Sequence, residues 1–141
     1  MNHDHYPDAL IRDILTSVKT IALVGASNNP ARASHHVMEY LIESGYELYP
    51  VNPGLAGKEL LGRPVSASLA DVPVAIDMVD VFRNSEAAGA VVDEARTLTP
   101  LPKVIWMQLE VRNDAAAARA EARGVTVIMN RCPAIERPRL L

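Results

Sequence analysis

The chain has 141 residues, enough for one domain with a buried core. A hydrophobic share of 49% and a charged share of 22% are those of an ordinary globular chain, and a net charge of −3 argues against a nucleic-acid surface, which needs a basic excess. No apolar stretch reaches the roughly 18–20 residues of a membrane span, and the start MNHDHYPDAL lacks the basic and apolar regions of a signal peptide. The single cysteine, Cys132, excludes an internal disulfide or a cysteine-rich zinc site.

The expectation is one cytoplasmic domain over residues 1–141, with residues 1–8 frayed. DALIRDILTSV places Leu10, Ile11, Ile14, Leu15 and Val18 on one helical face. TIALVG follows, a continuous apolar run of the kind buried on both faces of a parallel sheet. Ser34 is the expected cap of a helix through Ser44, with Val37, Met38, Leu41 and Ile42 inward and Gly45 as its stop. YELYPVNP reads as a second strand, and GKELLGRPVSASLADVP as an irregular connection with a short helix.

AIDMVDVF is a third strand; Ser85 is the expected cap of a helix to about Thr97. KVIWMQL is a fourth strand, Asn113 caps an alanine-rich helix ending at Gly124, and VTVIMN is a fifth strand. Strands alternating with helices predict right-handed crossovers and a doubly wound parallel sheet, a three-layer, Rossmann-like α/β/α domain.

Ligands of such sheets bind beyond the carboxyl ends of the strands, where the strand order reverses. The residues there are GASNNPARAS, VNP, VFRNS, MQLEVRN and NRCP. In the first, Gly25 permits close backbone approach, Ser27 and Asn28 offer hydrogen bonds, and Arg32 supplies charge. The following helix turns its free N–H groups and positive dipole end toward an anion. Asn52 and Pro53 suit the flank of a purine, the asparagine amide supplying a hydrogen bond. Phe82, Arg83 and Gln108 add an aromatic, a cation and an amide at neighbouring strand ends.

Two familiar motifs fail. A dinucleotide fingerprint needs glycines where Ser27 and Pro30 stand, and an acidic residue where Asn52 stands. GKE at 57–59 has neither the spacing nor the Ser/Thr of a Walker loop.

VGASNNPARASHHV, YELYPVNP, VDVFRNSE, VIWMQLEVRNDAAAARAEARGVTVIMNRCP and the final IERPRL, taken in order, resemble the small stand-alone CoA-binding domain proteins. These in turn are similar to the CoA-binding domain of the succinyl-CoA synthetase alpha subunit. The resemblance implies a bound CoA or acyl-CoA. Gly25, Ala26, Ser27 and Asn28 would line its phosphate turn, with Arg32 as phosphate partner; Asn52 and Pro53 would lie beside the adenosine. Val81, Phe82, Arg83 and Gln108 would border the diphosphate and pantetheine path. Lys58 stays outside this set because its loop matches poorly.

Glu110 departs from the pattern, standing where the family has glycine; either a charge sits near the ligand or the side chain points to solvent. The leading expectation is a binding module without chemistry of its own. A small NAD(P)-dependent oxidoreductase and a ligand-free interaction subunit are the alternatives; protein partners and self-association stay open. His35 and His36 are expected to be packed or solvated, and His3 and His5 to lie in the frayed start rather than bind metal. Asp77 and Asp80 are each expected to accept backbone N–H bonds. Cys132, beside Arg131, could form a mixed disulfide with the CoA thiol, although an unreactive buried cysteine is the plainer reading.

Overall fold

A computed structural model describes the chain from Met1 to Leu141. Helix α1 (Asp8–Ser17) leads into β1 (Thr20–Val24), α2 (Ala33–Glu43) and β2 (Glu47–Val51). A two-stranded hairpin, β3 (Glu59–Leu60) and β4 (Arg63–Pro64), precedes β5 (Met78–Val81) and α3 (Ser85–Ala95). The chain closes with β6 (Val104–Met107), α4 (Asp114–Glu121), β7 (Thr126–Ile128) and α5 (Pro133–Leu140).

The five main strands pair in the order β2-β1-β5-β6-β7, every ladder parallel. Alternation along each strand builds two cores. Ile21, Leu23, Met78 and Trp106 face α1, α2 and α5, whereas Ala22, Val79, Val81 and Met107 face α3 and α4. This is the doubly wound α/β, Rossmann-like architecture the sequence predicts, with the switch point between β1 and β5. No helix is long and apolar enough to cross a membrane.

Several local expectations are corrected. Arg32, not Ser34, is the cap residue of α2, and Ser34 lies buried in its first turn. Asn84, not Ser85, caps α3, accepting the Ala87 N–H at 2.8 Å. Asn113 does cap α4, accepting from Ala116 at 3.0 Å. The connection after β2 is irregular as expected, its short helices being 3-10 turns at Pro53–Leu55 and Leu69–Asp71. Between them lies a tight hairpin whose two turn residues, Leu61 and Gly62, both have positive φ.

Helix α5 was not expected, because PAIERPRL carries an internal Pro138 that weakens the helical signal. Pro138 falls in the last turn, where it removes a single hydrogen bond. The amino-terminal segment is also held. Tyr6 is buried, its hydroxyl accepts the Met129 N–H at 2.9 Å, and His3 bonds both Tyr6 and Glu121.

Candidate functional site

Just beyond the carboxyl ends of β1, β2 and β5, the chain leaves a cleft of about 440 Å³. Its wall includes Gly25, Ala26, Ser27, Arg32, Asn52, Pro53, Phe82 and Arg83, all singled out from the sequence. Val24, Ala33, Ser34 and Val51 complete it; the last three lie in the stretches GASNNPARAS and VNP without having been given a role, and Val24 lies outside them. Their only sequence signal is position, at strand ends and in the first turn of α2. A second cavity of about 420 Å³ shares Ala33, Phe82 and Arg83 with the first and is bounded by Gln108, Leu109 and Cys132. A third, of about 190 Å³, shares Val24, Val51, Pro53 and Arg83 and runs under Ala67, Ser68 and Glu94. Arg83 therefore stands where all three meet.

Gly25 is required here for a reason the sequence does not reveal. Its φ is +91°, and a Cβ would lie 2.3 Å from the carbonyl oxygen of Phe82. Its N–H, with that of Ala26, is donated to the Val51 carbonyl, at 3.0 and 3.4 Å. The glycine thus makes room for the neighbouring strand end, rather than for an approaching phosphate. The N–H groups left to face an anion are those opening α2, whose start has no side-chain cap.

Asn52 is likewise engaged within the fold. Its Nδ2 donates to the Ala26 carbonyl at 2.7 Å, and its Oδ1 accepts the Gly54 N–H at 2.8 Å. This ties the end of β2 to the turn after β1, so the amide positions the cleft instead of reading a purine freely. His35 bonds the Ser27 carbonyl through Nδ1 at 3.0 Å, anchoring the same turn to α2.

Two of the named residues line none of the three cavities. The Val81 side chain is fully buried against α3 and α4, because alternation sends it to the opposite sheet face from Phe82. Asn28 is exposed on the turn and lines none of the cavities, nor does Lys58. Glu110 has a φ of +68°, its side chain is exposed, and its N–H is held by Asn130 Oδ1 at 2.7 Å. The position does call for the left-handed backbone that glycine favours, yet the carboxylate points to solvent.

The two buried-strand aspartates part company. Asp77 accepts from the Lys19 and Thr20 N–H groups, at 2.9 and 3.2 Å. Partial burial pushes its carboxyl up, but those N–H groups and Lys103 outweigh this and hold it below the ordinary range. Asp80 does not behave as expected: it is fully buried and neither oxygen has a partner. Burial alone drives its carboxyl well above the ordinary range.

Gln108 is buried at 6% exposure. Its Nε2 donates to Cys132 Sγ at 3.4 Å, while its Oε1 has no partner. A buried amide acceptor left open on a cavity wall suits a ligand that brings its own N–H donors. Arg131 does not activate Cys132. It sits 5.1 Å over the Tyr6 ring and pairs with Glu136 at 3.6 Å, and burial raises the thiol.

Similarity to known proteins agrees with this geometry. YneT, an uncharacterized protein of Bacillus subtilis, is 40% identical over 124 residues, covering 88% of this chain and 89% of YneT. A solved hypothetical protein from Pyrococcus horikoshii superposes with a TM-score of 0.90 at 41% identity, over 97% of this chain and 94% of that one. The alpha subunit of an ADP-forming acetate–CoA ligase I from Pyrococcus furiosus is 33% identical over 86 residues, covering 58% of this chain but 19% of that subunit. Residues 19–138 match the CoA binding domain family, and the chain belongs to it.

Proposed function

We propose that the chain binds coenzyme A or an acyl-CoA along the carboxyl edge of its sheet, as a binding module without chemistry of its own. One observation carries the reading: three neighbouring cavities along this edge share Arg83 as a wall residue. Together they match a ligand with a flat base, an anionic middle and an amide-bearing arm.

The narrow cavity beside Pro53 would take the adenosine. The central cleft presents Arg32, Arg83 and the start of α2 to the diphosphate. The second cavity, lined by Gln108 with its unpartnered Oε1, would take the pantetheine arm, whose amide N–H groups can satisfy that oxygen. The same unpartnered acceptor supports a fit between the residues present and the coenzyme.

Calorimetric titration with CoA, acetyl-CoA, NAD and NADP tests this. CoA should bind, and Arg32→Ala should weaken it roughly tenfold or more, as for loss of a charge-assisted hydrogen bond of about 1.5–3 kcal/mol. Binding of NAD or NADP without CoA would replace this reading with the oxidoreductase. Binding of none would leave an interaction subunit.

A further inference from the structure

Cys132 is the one chemically reactive side chain on the cavity wall that CoA binding leaves unused. It occupies the cap position of α5, where no cap hydrogen bond reaches its side chain and the Ile135 N–H is donated to its carbonyl at 3.0 Å. The hydrogen bond on its sulfur comes from Gln108 Nε2, at 3.4 Å. Burial keeps the resting thiol above its ordinary range, with Asp80 and Glu136 acting the same way and the N–H groups at the start of α5 acting against it. The sulfur is thus a shielded thiol at rest, with the Gln108 amide as the donor in place on it. Independently, Gln108 Oε1, on the same amide that touches the sulfur, is buried, unpartnered and set in the wall of that cavity. This open acceptor marks the cavity around Cys132 as one that receives a ligand.

We propose that Cys132 is a thiol–disulfide exchange site selective for the disulfide form of CoA. The inference rests on the CoA reading. One half of CoA disulfide occupies the cleft, and its pantetheine arm delivers the disulfide to the cavity. The Cys132 thiol loses its proton to solvent, and its Sγ attacks the nearer sulfur. The S–S bond of CoA disulfide breaks as the Sγ–S bond forms, and the departing CoA thiolate takes up a proton. One disulfide is exchanged for another, so CoA disulfide is the only oxidant needed. The product is the chain carrying one covalently held CoA, with one free CoA released.

The test incubates the full chain with CoA disulfide or, separately, with glutathione disulfide, and follows intact mass without reductant. A single CoA adduct should form on the peptide bearing Cys132 and be released by dithiothreitol. It should form at least about tenfold faster than the glutathione adduct, because binding raises the local concentration of the reacting sulfur. The adduct should be absent from Cys132→Ala and slowed in Arg32→Ala. Equal rates with the two disulfides overturn the proposal. So does the absence of an adduct on reduced protein that binds reduced CoA in calorimetry, an outcome that leaves the CoA reading intact. If reduced CoA does not bind and no adduct forms, both fall.

Discussion

Replacing Gly25 with alanine separates the two demands that the turn after β1 makes. At a φ of +91°, any side chain incurs a backbone cost of roughly 1–2 kcal/mol. The new methyl would also lie 2.3 Å from the Phe82 carbonyl oxygen and 3.0 Å from its carbon. These are backbone atoms at the end of a central strand, bonded through Phe82 N–H to Val24 at 2.8 Å, so they cannot rotate away. Relief requires a shift of the β5 end, an overpacking cost of about 1–3 kcal/mol. The sum, about 2–5 kcal/mol, corresponds to a fall in Tm on the order of 10 °C for a domain of this size.

Gly45→Ala supplies the comparison. Its φ is +97°, but a Cβ there meets nothing within 4 Å. It should cost only the backbone share, about 1–2 kcal/mol. Thermal melts followed by circular dichroism would measure both variants. Since Phe82 and Arg83 form the cleft wall beside Gly25, Gly25→Ala should also lose CoA affinity, whereas Gly45→Ala should not. If the two variants melt within about 2 °C of each other, the close approach of the strand ends is not what the glycine serves.

Two further outcomes follow from the fold. Glu110→Gly should raise stability by about 0.5–1 kcal/mol in denaturant unfolding, because the backbone there is left-handed and the lost side chain is exposed; a lower midpoint would contradict this. For Asp80, the folded-state pKa lies above the unfolded value of 3.8, so the native state binds more protons. That contribution is fully present below the unfolded value and is lost as pH rises through the folded one. The stability of Asp80→Asn relative to the parent should therefore grow as pH is raised from acid to neutral; a difference independent of pH would show that Asp80 is not buried as an isolated acid.

The sequence by itself determined the alternation of strands and helices, and with it the parallel sheet and the edge that carries the cleft. The reason is local: hydrophobic period and turn residues are written in neighbouring positions, as in TIALVG and the Asn113 cap. It also marked eight residues that the fold does gather into one cleft. Helix α5 escaped because its stability comes from packing against α1 and α2, not from PAIERPRL itself.

Only the tertiary structure decided what several marked residues do. Gly25 answers to Phe82, and the Asn52 amide to Ala26, both partners distant in sequence. Val81 and Phe82 are adjacent, yet the pleat sends one into the core and the other to the cleft. Asp80 and Gln108 look like other polar residues near strand ends. Their unpartnered oxygens exist only once the sheet and its helices close over them and exclude the water that would otherwise satisfy those atoms.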